Sequence, residues 1–170
     1  MVPERANHQK PHQVRASQYT KTAKSKSAPA KTSPMNPRTI IDWRVPASQA
    51  WKKSEHDLQS AIVTRTLGMA GAFPEILMLH AIPNGDFRGW GVGKKLKAEG
   101  VIPGVPDICL PVARAGFHGF YMELKKSGGH VREDQWEFME ALHAQGYFVR
   151  LTNHLPTALE IIENYLREMP

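Results

Sequence analysis

The sequence predicts one α/β domain with a mixed four-stranded sheet flanked by helices, in the element order αβββαβα. Three observations predict it. Two apolar runs, PDICLPV and FHGFYMELKK, have the length and composition of neighbouring buried strands. An amphipathic helical pattern then separates the second run from a third, YFVRLT, and this βαβ step at residues 118–152 implies a parallel pair with a right-handed crossover. Finally, 170 residues with 41% apolar content suffice for one core.

The first helix is predicted over residues 55–67. Ser54 is a typical N-cap, and Asp57 three residues later completes a capping-box pattern. Leu58 and Ile62 follow at helical spacing, which indicates one buried stripe.

The first strand is predicted in EILMLHAI, where the turn PNGD ends it. One or two helical turns are expected between Lys94 and Glu99. PDICLPV and FHGFYMELKK are the second and third strands, joined by the Ala-Gly turn at 115–116.

The second half of the chain predicts two further helices around the fourth strand, YFVRLT. In VREDQWEFMEALHAQG, Gly146 is the expected C-terminal stop. The closing helix is LPTALEIIENYLREM. The residues of the first of these helices that should face the core are Trp136, Phe138, Met139 and Leu142.

The positive charge belongs to the N-terminal segment, because residues 1–38 carry a net +7 and the rest of the chain −1. Its Lys, Ser, Thr and Pro content predicts a disordered tail that loosely grips phosphate backbones, with organelle targeting as the alternative. The folded domain is then residues 39–170. A single cysteine, Cys109, and no membrane-spanning or secretory segment predict an intracellular, cytoplasmic protein.

Two carboxylates and an amine are predicted to converge at the carboxyl end of the third strand. Side chains alternate along a strand, so Glu123 and Lys125 share one face, and Asp107 on the neighbouring strand can meet Glu123. Adjacent carboxylates repel unless a cation lies between them, and Mg²⁺ accepts such ligands. Lys125 could then orient an attacking water. The alternative is a surface ion pair between Glu123 and Lys125.

Glu55 belongs to the same hypothesis. It falls on the expected buried stripe of the first helix, one turn before Leu58, where an acid is costly unless a cation meets it. The alternative is an acid that favours the helix dipole.

These residues carry a resemblance to a known family. PD followed 15 residues later by ELK resembles the PD-(D/E)xK nuclease superfamily, whose αβββαβ restriction-endonuclease-like core matches the predicted order. The wider run from NGDFRGWGVGKKLKAEG through YMELKKSGG to GYFVRL looks like a VRR-NUC domain, the virus-type replication-repair nuclease. The resemblance covers about residues 54–166, nearly the whole predicted domain.

The resemblance implies a set of site residues. Asp107 and Glu123 would bind the metal together with the backbone carbonyl of Leu124, and Lys125 would be the catalytic lysine. The remaining members would be the helix-one acid Glu55, through a metal-bound water, and Gln135 on the next helix, for which a solvated helix position is the alternative. Met139, four residues after Gln135, stands where some related nucleases have Tyr.

The implied activity is a Mg²⁺- or Mn²⁺-dependent endonuclease that hydrolyses phosphodiester bonds in branched DNA during replication, recombination or repair. Family members of this size resemble phage and bacterial homodimers, so a phage-infected or bacterial cell is the expected setting. Two alternatives stay open: a restriction-type enzyme with a base-sequence requirement, and a non-catalytic DNA-binding module of the same fold.

The glycine-rich loop PNGDFRGWGVGKKLKAEG is the candidate DNA-binding segment, since glycines let a backbone approach a phosphate closely. Trp90 is its candidate for stacking on a base. The alternative is an ordinary solvated loop, with Asn84 and Gly85 as turn formers. The candidate DNA contacts are Asn84, Gly85, Arg88, Lys94, Lys95 and Lys97.

Overall fold

The structure is a computed structural model that describes residues 36–83, 95, 96 and 98–168. The elements occur in the order α1 (Pro37–Ile41), α2 (Glu55–Leu67), a 3₁₀ helix (Pro74–Met78), β1 (His80–Ala81), β2 (Ile108–Leu110), β3 (Phe120–Leu124), α3 (Glu133–Ala144), β4 (Phe148–Thr152) and α4 (Leu155–Leu166). Within these residues, no helix is long and apolar enough to cross a membrane.

The four strands form one mixed sheet in the order β1-β2-β3-β4. β1 and β2 are antiparallel, as are β2 and β3, whereas β3 and β4 are parallel. Met122 in β3 lies between Ile108 of β2 and Arg150 of β4. The predicted fold class and the parallel βαβ step are therefore confirmed.

Helix α2 begins and ends where the sequence predicts. The Ser54 side chain accepts a hydrogen bond from the Asp57 amide at 3.1 Å, and the Asp57 carboxylate accepts one from the Ser54 amide at 3.2 Å. This reciprocal pair satisfies two amides that the first turn would leave unpaired. Leu58 and Ile62 are fully buried, as expected.

The first predicted strand is largely wrong. The first half of EILMLHAI, residues 75–78, belongs to the 3₁₀ helix, and only His80–Ala81 pair with the sheet. Pro74 presets the first helical φ, and the amides of Ile76 and Leu79 bond to carbonyls three residues earlier. Periodicity cannot decide whether a short apolar run of this kind forms a strand or a helical turn.

Helix α1 is an element that the sequence analysis did not predict. Its five residues are too few to show a hydrophobic period, but Asn36 caps it through a 3.0 Å bond from the Arg38 amide. The Trp43 amide then donates to the Leu151 carbonyl at 2.9 Å, which joins this segment to the outer edge of β4. The predicted boundary after residue 38 falls inside α1.

The sheet is covered on both faces. Phe120, Met122 and Leu124 belong to the larger core cluster, into which α2 and α4 pack. On the opposite face, Met139 of α3 and Ile41 of α1 pack against Val149 and Leu151 of β4. Tyr121 packs against this second cluster, and strand alternation places Glu123 on the same face.

The predicted inward face of α3 is correct in part. Met139 is fully buried, and Trp136 and Leu142 pack against the smaller cluster while staying partly exposed. Phe138 is only partly buried and does not belong to that cluster. The second buried residue of α3 is polar, Gln135. Gly146 follows the helix with φ of +81°, the expected terminating conformation.

Gly104 fixes the loop before β2 against α3. Its φ is +88°, and a Cβ built there would lie 2.6 Å from the Asp134 carbonyl oxygen. Side chains do not tolerate that separation from backbone. Only glycine therefore permits this contact, which connects the loop leading to Asp107 with the start of α3.

We expect Gly104→Ala to lower the free energy of unfolding by about 2–4 kcal/mol, because a left-handed φ and an overpacked contact add. The matched control is Gly100→Ala: Gly100 also has a positive φ, +93°, but none of the residues that the structure describes lies within 4 Å of a Cβ there. Its cost should be limited to about 1–2 kcal/mol of backbone strain. Urea unfolding measures both, and equal losses would show that the contact with α3 contributes nothing.

Candidate active site

Asp107 lies immediately before β2 and is positioned by the neighbouring strand. Its Oδ2 accepts a 2.8 Å hydrogen bond from the backbone amide of Leu124 in β3. This bond places the carboxylate beside Glu123, whose own ionisation the charge of Asp107 disfavours. The structure therefore brings together the two acids that the sequence predicts to meet.

Glu123 is a fully buried carboxylate in β3, with an exposed fraction of 0%. Its Oε1 accepts hydrogen bonds from Lys125 Nζ, at 2.5 Å, and from Gln135 Nε2. Its Oε2 is buried with no hydrogen-bond partner among the described residues. A buried polar atom without a partner is costly, and such atoms concentrate where a ligand supplies the missing contact.

The same surroundings raise the pKa of Glu123 to about 8. Burial is the largest cause and the charge of Asp107 the second, while Lys125 acts in the opposite direction. At neutral pH the protein on its own therefore favours the protonated form of Glu123. A cation placed between the two acids would reverse this preference.

Lys125 shares its face with Glu123, as the alternation predicts. Only 5% of the residue is exposed, and its backbone amide donates to the Thr152 carbonyl at 2.9 Å. The side chain lies between Glu123 and Glu55, with Nζ 4.0 Å from Glu55 Oε2. The alternative of an exposed surface pair is therefore wrong, because both members of the Glu123–Lys125 pair are buried.

Glu55 lies at the rim of the site, and its predicted place on the buried stripe of α2 is wrong. As the first helical residue it keeps 42% of its side chain exposed. Its Oε1 accepts a 3.2 Å hydrogen bond from the Lys126 amide. A Cβ added to Gly129 would lie 3.1 Å from the same oxygen, so this glycine lets the loop after β3 approach Glu55.

Gln135 is 5% exposed and holds Glu123 in place, so the alternative of a solvated position is wrong. Its Oε1 accepts a 3.1 Å hydrogen bond from the Arg132 amide at the start of α3. Because the amide oxygen is used there, Nε2 is directed at Glu123. Glutamine at the third position of a helix commonly accepts a hydrogen bond from the N-cap amide, which supports placing the side-chain oxygen of Gln135 toward Arg132.

The donor set fits a hard divalent cation. No group of three or more His, Cys, Asp or Glu side chains suited to a metal is found within the described ranges. Mg²⁺, however, is commonly bound by only one or two protein carboxylates, and water and substrate phosphate complete its coordination. Asp107 and Glu123, with one oxygen that has no partner among the described residues, fit this pattern. The backbone carbonyl of Leu124 as a further ligand stays a prediction.

Most of the predicted DNA-binding residues lie outside the described ranges: Asn84, Gly85, Arg88, Lys94 and Lys97, together with Trp90. Lys95 is described. It is exposed in a short helical segment, 3.8 Å from Glu99.

A cleft of about 810 Å³, which the sequence does not predict, lies next to the site, and we call it the α1 cleft. It is bounded by α1, the segment after it, the loop after β3 and the first turn of α3. Residues that line it include Arg38, Arg44, Lys126, Gly129, His130 and Trp136. Only the basic residue types gave any signal in the sequence, since α1 itself was not predicted.

The fold and the site define an α/β domain with an Asp–Glu–Lys group at the carboxyl end of a central strand. No family model and no curated protein matches the sequence. A solved structure described as a "VRR_NUC domain protein" matches with a TM-score of 0.57 and 23% identity, over 68% of this chain and 90% of that one. The fold implied by the VRR-NUC resemblance is therefore confirmed.

Proposed function

We propose that the protein is a Mg²⁺- or Mn²⁺-dependent nuclease that hydrolyses phosphodiester bonds in DNA, with a preference for branched substrates. The observation that carries this proposal is the buried Glu123, whose Oε2 has no hydrogen-bond partner in the described part of the chain while Asp107 and Lys125 lie beside it. A carboxylate in that setting is costly for stability and is explained by a cation that the site binds.

Each residue has a role that its position supports. Asp107 and Glu123 hold the cation, which when bound supplies a Lewis acid for the scissile phosphate and lowers the pKa of the attacking water. Gln135 and Lys125 fix Glu123 Oε1, so that Oε2 is the oxygen left for the metal. Glu55, partly exposed and 4.0 Å from the ammonium, can accept a hydrogen bond from a water that enters the site.

Lys125 is the residue we assign to the reacting phosphate. Its ammonium carries three donors, and Glu123 Oε1 accepts from one of them at 2.5 Å. The others can orient the attacking water and stabilise the negative charge that develops on the phosphate oxygens. Burial strengthens this stabilisation because little water screens it.

A non-catalytic DNA-binding module of the same fold is the second candidate. What favours the enzyme is that the buried Glu123 contacts Lys125 and senses the charge of Asp107, because a module that only binds DNA has no need of a buried carboxylate beside a second acid. A restriction-type enzyme with a base-sequence requirement differs in substrate choice only. Discrete cleavage at one motif in a plasmid library would identify it.

The direct test is a cleavage assay with labelled linear duplex, single strand, splayed arm, flap and four-way junction DNA, each in EDTA, Mg²⁺ and Mn²⁺. We expect cleavage of the branched forms in either metal and none in EDTA. Lys125→Ala should be inactive yet still bind DNA. Equal inactivity of wild type and Lys125→Ala on every substrate, with binding intact, would reject the enzyme in favour of the binding module.

A homodimer is also proposed, because cutting both strands of a branched substrate calls for two sites related by symmetry. Sedimentation in the presence and absence of DNA measures this. A mass near 19 kDa, the mass of one chain, under both conditions would contradict it.

A further inference from the structure

The α1 cleft adjoins the candidate active site directly. Gly129 lines the cleft, and a Cβ added to it would lie 3.1 Å from Glu55 Oε1 and 3.3 Å from the Lys125 Cβ. Lys126, the next residue after Lys125, lines the cleft as well. A polynucleotide with its scissile phosphate at Lys125 would therefore place the adjoining nucleotides at the mouth of this cleft.

The size of the cleft suits a single strand. Its volume of about 810 Å³ lies within the range of sites that enclose small ligands, roughly 300–1,000 Å³. One or two nucleotides fit such a space. A duplex does not, since its major groove alone is about 12 Å wide.

The lining offers the two kinds of contact that single-strand sites use, which are flat π surfaces and a cation. The Arg38 guanidinium lies over the Trp136 ring, 5.1 Å from its centre, and is held there by Glu133 and Glu140, at 2.5 and 2.6 Å. Both groups can stack on a base. The exposed Lys126 has no ion-pair partner within the described residues, so it can bind a phosphate.

The other arginine in the cleft has a different role. Arg44 is 2.6 Å from Asp42, and this ion pair leaves it little net charge to offer a phosphate. Arg38 is likewise occupied by its two glutamates. The cleft is therefore only weakly basic, which suits stacked bases better than the closely spaced phosphates of a duplex.

We propose that the α1 cleft binds one or two nucleotides of single-stranded DNA next to the scissile phosphate. The inference rests on the proposed nuclease function and deepens it, because it names the substrate class as DNA with a single-stranded segment at the cut. The enzyme would then select branched or tailed DNA through a strand that a continuous duplex cannot present.

The test measures binding by fluorescence anisotropy in EDTA, where no cleavage occurs. The probes are a blunt duplex and the same duplex with a single-stranded tail of about ten thymidines, within the roughly 4–16 nucleotides that single-strand grooves occupy. We expect wild-type protein to bind the tailed probe at least about tenfold more tightly than the blunt one, since one stacked base suffices for that. Residues 1–35 are present throughout, so nonspecific affinity from the basic tail enters both measurements.

Two variants test the cleft without removing core contacts. Ala47 lines it and is exposed, so Ala47→Leu occupies part of it with a side chain that has no π surface, and Lys126→Glu reverses its cation. In both variants, the ratio of the affinity for the tailed probe to that for the blunt probe should fall close to one. The charge-matched control is Arg65→Glu, at an exposed position on α2 that does not line the cleft, and it should keep the preference.

Equal binding of both probes by wild-type protein would overturn the proposal, and so would an Ala47→Leu variant that keeps the preference. Because the measurement needs no metal, a protein that fails to cleave can still show the preference. Conversely, an active nuclease whose preference survives Ala47→Leu would reject the cleft alone. The two failures are therefore distinguishable.

Discussion

Asp107→Asn should reduce Mg²⁺-dependent cleavage about 1,000-fold, equivalent to about 4 kcal/mol of transition-state stabilisation. The amide oxygen of asparagine can still accept the hydrogen bond from the Leu124 amide, which is 2.8 Å long in the wild type. What the variant loses is the negative charge with which Asp107, under the proposed function, would bind the metal. The variant therefore tests metal binding while it keeps the hydrogen bond that supports the fold.

Cleavage rates under single-turnover conditions, alongside thermal unfolding in EDTA, check this expectation. The unfolding temperature should change little, because the bond between the strands persists. Glu160→Ala, at an exposed acid on α4, is a control that removes one negative charge far from the site and should cleave normally. If Asp107→Asn has normal stability and cleaves within about threefold of the wild-type rate, Asp107 is not a metal ligand.

Glu123→Gln should make the metal-free protein more stable at alkaline pH. The folded-state pKa of Glu123 is about 8, against 4.5 as the ordinary value. A group with a raised pKa contributes its full stability below the unfolded-state value and loses it as the pH rises through the folded-state value. Stability of the wild type in EDTA should therefore fall between about pH 4.5 and 8, by a few kcal/mol at about 1.4 kcal/mol per pKa unit.

The glutamine variant lacks this titration and should show a flatter profile. At pH 5 the two proteins should have similar free energies of unfolding, and above pH 8 the variant should be the more stable one. Urea unfolding across this range in EDTA gives the comparison. A wild-type profile as flat as that of Glu123→Gln would show that Glu123 stays ionised in the folded protein.

Metal addition extends the same experiment. Mn²⁺ should stabilise the wild type, because a ligand that binds only the folded state raises its stability by mass action. It should leave Glu123→Gln nearly unchanged. Since Glu123 is largely protonated below pH 8, binding near neutral pH should also release a proton, which calorimetry in buffers of different ionisation enthalpy can count.

The parts of the fold that the sequence predicts well are those with a local signal. The capping residues of α2 and the period of α3 are such signals, and both helices lie where predicted. The 3₁₀ helix was mistaken for a strand because a short apolar run has no period that distinguishes the two. Helix α1 has five residues and is held by tertiary contacts that no local pattern reveals. Ile41 is fully buried in the smaller cluster, and Arg38 forms ion pairs with two glutamates of α3.

The site follows the same division. Strand alternation suffices to place Glu123 and Lys125 on one face, and their contact is observed. The exposure of Glu55 was misjudged, since a stripe extended by periodicity ignores that the first helical turn lies at the edge of the packed face. Among the described residues, Glu123 keeps one oxygen without a hydrogen-bond partner, and this depends on where Gln135 places its amide, a three-dimensional relation that residue spacing does not contain.

The pairing of the Asp42–Trp43 segment with Leu151 has a consequence for colloidal behaviour. This segment covers part of the outer edge of β4 and so hinders other chains from adding a strand there. On the opposite side, β1 has only two residues and offers few positions for a foreign strand to bond. Concentrated solutions should accordingly resist fibril formation, whereas a variant with Trp43 replaced by proline, which has no amide hydrogen to donate, should aggregate more readily.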